Sequence, residues 1–202
     1  DVNNKMILNS YFRNRFGESI IDSMFIWGRE IKPNAKFYIN EYGIFYSVLL
    51  DLYIDQINQL LDQNIAIGGI GIQGHIFTSD EPTNLGIFAG DTVFSANYLW
   101  NVLDQLAQFD IPVKITEFDF NSPDDSTHAQ WLTNFYKVMY AHPIMEGVIA
   151  WGFWEEVQWR PEGAMFDLDF NPKPAALAYH NLLFNDWWTD DLLSTNNNGE
   201  TI

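Results

Sequence analysis

Cysteine is absent from all 202 residues, which excludes disulfides and thiolate metal ligands. Basic residues are scarce: ten Lys and Arg stand against 27 Asp and Glu, a net charge of −17. Such a field repels phosphate backbones and anionic lipid heads, so neither nucleic acid nor a membrane surface is expected as a partner. No apolar run reaches the roughly 18 to 20 residues that a membrane helix needs. No G-x-G-x-x-G turn opens a helix, and the glycines of "GGIGIQG" at 68–74 lie inside a strand pattern, which argues against a doubly wound dinucleotide fold. His128, His142 and His180 lack ligand spacing, and Asp80, Glu81, Asp124 and Asp125 read as solvated loops, so no metal and no cofactor are expected.

What is present points to a packed globular domain. Apolar residues make up 47% of the chain and aromatics 16%, enough for a sizeable core. Short apolar runs alternate with amphipathic stretches, the pattern of strand–helix units around a parallel sheet. The spacing predicts strands over Ala35–Glu41, Gly69–His75, Pro112–Glu117 and Gly147–Phe153. It predicts helices over Gly17–Glu30, Leu50–Gln63, Val93–Phe109, Ser126–Ala141 and Pro174–Phe184. Each strand turns polar only at its C-terminal end, giving "NEY" at 40–42, "QGH" at 73–75, "TEFD" at 116–119 and "WGFWEE" at 151–156. In a barrel of parallel strands that end builds the active site. By themselves the tryptophans at 151, 154 and 159 fit a core better than an exposed stacking surface, although Trp159 lies beyond the strand, where exposure is easier, and Trp187 and Trp188 read as packing residues. Residues 1–189 form the domain, and the Asn-rich 190–202 reads as a polar tail or linker.

Five motifs, in order, resemble glycoside hydrolase family 10, the endo-1,4-β-xylanase family: "DVNN", "YINEY", "GIGIQGH", "ITEFD", and "WGFWEEVQW…PEG" with "NPKPAALAY". The resemblance implies a (β/α)₈ TIM barrel of which this chain carries the portion from the end of strand 4 through strand 8. It also implies retaining hydrolysis by two glutamates about 5–5.5 Å apart. Glu117 matches the nucleophile. Gln73 and His75 match groups that hydrogen-bond around it, Trp151 and Trp159 match sugar-stacking platforms, Asn4 matches the residue that binds the 2-hydroxyl, and Tyr42 lies toward the leaving-group side. Family resemblance alone suggests secretion to the extracellular space.

Two features depart from the family. The acid/base glutamate follows the motif asparagine, and here that position is Lys5. An ammonium of ordinary pKa about 10.4 is a poor proton donor at neutral pH, and a neighbouring carboxylate raises that value. The expectation is therefore a catalytically impaired pseudoenzyme, kept for binding a β-linked polysaccharide or for assembly. A working xylanase with Glu117 as nucleophile is the alternative, and a scaffold without sugar binding is a third reading. The chain also opens at Asp1, where strands one to three would already be behind it, so the N-terminal half of the barrel is expected from an upstream segment or a separate chain.

Overall fold

The computed structural model describes residues 11–17, 19–45, 47–77, 95–190, 193–194 and 196–200. Helices α1 (Tyr11–Phe16) and α2 (Ile20–Ile31) precede strand β1 (Tyr38–Glu41). Helix α3 (Ser47–Asp62) then leads to β2 (Gly69–Ile72) and β3 (His75–Phe77). Helix α4 (Ala96–Ala107) leads to β4 (Val113–Asn121), α5 (Asp125–Ala141) to β5 (Met145–Ala150), and α6 (Pro174–Asn181) follows. Ser95 and Asp124 cap α4 and α5, accepting from Tyr98 N at 3.2 Å and Thr127 N at 2.6 Å.

All described strand pairs are parallel. β2 lies between β1 and β4, β3 pairs further along β4, and β5 also pairs with β4. Spatial order therefore follows chain order. A doubly wound sheet reverses direction at a switch point; a barrel does not. Curvature is visible at the N-terminal rim, where Glu146 on β5 accepts from Lys36 Nζ at 2.8 Å and from the Tyr38 hydroxyl of β1. In a flat sheet these strands would stand about 14 Å apart. Lys36 and then Tyr38 hold the Glu146 carboxyl down at about 2, helped by Lys114.

The core lies between the sheet and the helices. Ile39, Ile70, Ile72, Val113 and Ile115 from the strands meet Ile57, Leu103, Leu106 and Phe135 from the helices, all fully buried. Phe118 stacks on Phe135 with centroids 4.1 Å apart, and Phe120 stacks on Trp131 at 5.1 Å. These contacts explain the helical spacing of Trp131, Leu132 and Phe135 on α5.

The strand expected over Gly69–His75 is broken. Gly74 adopts φ +90, a conformation open to glycine, and a Cβ there would lie 2.6 Å from Ile115 Cγ2. Across this break β4 sets three residues, Thr116, Glu117 and Phe118, against Gln73 and Gly74, so the register slips by one between Ile72–Ile115 and His75–Asp119. Such a bulge re-aims side chains. The strand expected to stop at Glu117 runs on to Asn121, and the one expected over Gly147–Phe153 is Met145–Ala150. Gly74→Ala is expected to lower stability by about 1–3 kcal/mol, read as a reduced urea midpoint.

Candidate active site

The bulge on β4 sets the site. Glu117 N donates to Gln73 O at 2.8 Å, and Trp151 N donates to Phe118 O at 2.8 Å, so both neighbouring strands grip the segment that carries Glu117. Asp119, two residues on, follows the two-residue alternation of a strand. His75 lies between these carboxylates: Nδ1 is 3.0 Å from Asp119 Oδ1 and Nε2 is 3.4 Å from Glu117 Oε2. The Asp119 side chain is 1% exposed and the Glu117 side chain 23%, so one carboxylate is internal and the other reaches solvent.

Asp119 is held from several directions. Besides His75 it accepts from Trp159 Nε1 at 2.5 Å, Asn121 Nδ2 at 3.2 Å and Gln158 Nε2 at 3.5 Å. An acceptor-only carboxylate saturated this way fixes the imidazole with Nδ1–H toward Asp119 and Nε2 toward Glu117. Burial opposes charging of His75, but the bond to Asp119 and the charges of Asp119 and Glu117 outweigh it and raise its pKa above the ordinary histidine value. The imidazole can thus carry positive charge beside Glu117 or relay a proton to it.

Trp151 and Trp159 are 45% and 52% exposed and stand edge-on to His75, with centroids 6.2 and 5.3 Å away. Both exposed rings therefore stand against the imidazole whose other edge faces Glu117. Trp154 does otherwise: it stacks on Phe170 at 4.5 Å and donates to Leu168 O, inside its own loop. Trp187 packs on Tyr140 at 4.3 Å, but Trp188, expected to pack, is 63% exposed. It follows the π-helical turn Leu182–Asp186, which interrupts the helix expected to run to Phe184.

Gln73 is buried and bridges the motifs through its backbone, donating to Glu41 O at 2.9 Å and accepting from Glu117 N. Tyr42 is half-buried beside it, its N–H on Glu41 Oε1 at 2.9 Å. Asn4 and Lys5 lie outside the described residues. The structure also brings in groups that motif reading passed over as site residues. Asp119 was legible as the second carboxylate of "TEFD". Asn121 and Gln158 carried no spacing signal, since their approach depends on the extended β4 and on the loop after β5. Among the described residues no group of three or more His, Asp or Glu is arranged to hold a metal ion, and no helix is long and apolar enough to cross a membrane. A hollow of about 490 Å³ lined by Tyr140, Met145, Tyr179 and Trp187 starts at the opposite, N-terminal end of β5 and is remote from Glu117.

Strands in sequential parallel order, with a buried carboxylate–imidazole pair supporting a part-exposed glutamate at their C-terminal ends, define a TIM-barrel domain with its site at the usual rim. The sequence profile of glycosyl hydrolase family 10 matches residues 1–182, and the chain belongs to that family. It is 36% identical over 199 residues to the anti-sigma-I factor RsgI6 of Acetivibrio thermocellus, covering 98% of this chain and 24% of that protein. It is 33% identical over 159 residues to endo-1,4-beta-xylanase 1 of Arabidopsis thaliana, covering 77% of this chain and 15% of that one. The crystal structure of xylanase 10B from Thermotoga petrophila in complex with xylobiose superposes with a TM-score of 0.71 at 22% identity, over 88% of this chain and 55% of that chain. The chain therefore spans a quarter or less of these two curated relatives and slightly over half of the solved barrel.

Proposed function

We propose that this chain is a xylanase-like domain that binds β-1,4-linked xylan or its oligosaccharides and hydrolyses them weakly or not at all. The observation that carries this reading is a mismatch between two halves of one mechanism. The nucleophile side supports the reading: Glu117 has His75 and Asp119 behind it, and Trp151 and Trp159 stand against His75. The acid/base side has Lys5 directly after Asn4. A protonated amine has no lone pair with which to activate water, and it holds its proton too tightly to assist departure of an unactivated sugar. In this reading Lys5 pairs with Glu117 directly or through water, and Asn4 contacts the sugar 2-hydroxyl.

The relatives support a sugar ligand, since those named as xylanases include plant and bacterial proteins and one solved relative holds xylobiose. The likeness to an anti-sigma-I factor supports a role other than polymer breakdown, because that name is a regulator's rather than a hydrolase's. In this reading the chain supplies the barrel from the end of strand 4 through strand 8. Secretion belongs to this reading by family resemblance alone.

The test is a paired measurement on the full protein. Xylotetraose should quench or shift tryptophan fluorescence saturably, while xylan releases no reducing sugar beyond a trace. Hydrolysis at a rate typical of xylanases would overturn the impaired reading and leave an active retaining enzyme. That alternative draws support from the complete Glu117–His75–Asp119 arrangement, which a pure scaffold has no need to keep. Absence of any response to xylotetraose would favour the scaffold.

A further inference from the structure

We infer that Gln158 is a positioning residue, setting where the Trp151 and Trp159 rings stand relative to the Glu117 carboxylate. This rests on the sugar-binding reading for its ligand but not for its geometry.

Gln158 closes the turn that starts at Trp154, its N–H and that of Val157 both donating to Trp154 O at 3.0 and 3.2 Å. It is a polar side chain only 5% exposed, within a loop otherwise rich in exposed groups. Its Nε2 donates to Trp151 O at 2.9 Å and reaches Asp119 Oδ2 at 3.5 Å. Its Oε1 occupies the space beside Gly152, where any Cβ would collide with it. Gly152 has φ +68, so the chain turns sharply there and exposes the Trp151 carbonyl to this amide. Trp159, the next residue, donates to the same Asp119 Oδ2.

One primary amide therefore ties together the backbone of one platform, the residue beside the second, and the carboxylate that orients His75. Trp151 is fixed on its N–H side by Phe118 of β4, but its carbonyl lies past the end of β5, and the Gln158 amide is the side chain that holds it. A shorter side chain could not span from the turn to that carbonyl. A carboxylate could span it, but ionised it would only accept, and it would stand beside Asp119 as a like charge.

Three variants of the full protein test this. Gln158→Ala should weaken xylotetraose binding about tenfold, the usual effect of losing a hydrogen bond to a charged or buried partner. It should also move the Trp151 and Trp159 indole N–H resonances in the free protein. Gln158→Glu keeps the shape, and its loss should depend on pH. Near pH 7 it should bind about tenfold more weakly than wild type. The gap should close on acidification, when the introduced carboxyl regains a proton and can donate again to the Trp151 carbonyl. Proximity to Asp119 should raise the pH at which this happens above the ordinary glutamate value near 4.3. Gln158→Met, which keeps length and removes the donor, should behave like Gln158→Ala at every pH. Binding of Gln158→Ala equal to wild type, or a constant ratio of Gln158→Glu to wild type across pH, overturns the inference. If wild type binds no xylotetraose, the sugar-binding reading fails, and the indole resonances and the His75 titration of the unliganded variants decide the geometry: unmoved signals overturn it.

Discussion

Xylan hydrolysis by the Lys5→Glu variant is expected to exceed that of the wild type by about 10²- to 10⁴-fold, the usual contribution of general acid–base assistance. A retaining hydrolase needs one group that gives a proton to the leaving oxygen and later takes one from water. An ammonium fails in both halves. Near neutral pH it holds its proton, and while it holds it no lone pair exists to attack the water's hydrogen. A glutamate beside the anionic nucleophile is raised in pKa, which suits it to the first half, and the loss of that charge on glycosylation suits it to the second. Reducing-sugar release measures the gain, and Glu117→Gln in the same background should abolish it. Aryl xylosides with a good leaving group need little proton assistance. On these the wild type should release a burst of phenol while the two proteins differ far less. Equal xylan turnover by wild type and Lys5→Glu would remove the basis for impairment.

Acidification from pH 6.5 to about 4 is expected to cost the fold about 3 kcal/mol through His128 alone. His128 is 2% exposed on α5, lying against Phe120, and the charged groups facing it are Lys173, Asp125 and Asp119. Burial first, and then the Lys173 charge, hold its pKa down at about 4, while Asp125 and Asp119 pull the other way. In the unfolded chain the same imidazole titrates near 6.5. Between the two values the unfolded state binds a proton that the folded state refuses, so stability is complete above 6.5 and falls until about 4. His75 acts with the opposite sign. Its folded pKa is raised, so its contribution is present below 6.5 and fades as the pH climbs through the raised value. Urea midpoints across the acid window measure the first effect, and His128→Gln should flatten it. A wild-type midpoint constant between pH 6.5 and 4 would show that this imidazole charges freely inside the fold.

The acid limb also separates cleanly from the carboxylates. Asp124 and Asp167 are depressed by bonds to Thr127 and Asn171 respectively, so their losses fall below the ordinary aspartate range rather than within the histidine window. Their side chains sit at the surface, where solvent screens them.

Periodicity and strand-end polarity were enough to find each principal β-strand and the helix after it, because those signals are local: a two-residue or 3.6-residue repeat shows which faces are buried. The ends of strands were not legible. That β4 runs through Asp119 to Asn121 follows from β3, which pairs with it only because Gly74 breaks the preceding strand and shifts the register. The same break brings His75 opposite Asp119, a pairing between residues 44 positions apart.

Ordered motifs in the chain alone were enough to point to the family, and they singled out Glu117 and Lys5 as the residues on which the proposed chemistry turns; these are matters of residue type at fixed spacing. Tertiary structure decided which tryptophans face solvent and which carboxylate is buried. It also decided that Gln158 and Asn121 join the site, because they reach Asp119 across loops and bulges whose geometry no spacing rule encodes. Side-chain type is written residue by residue, whereas burial and hydrogen-bond partnership exist only once distant segments have been brought together.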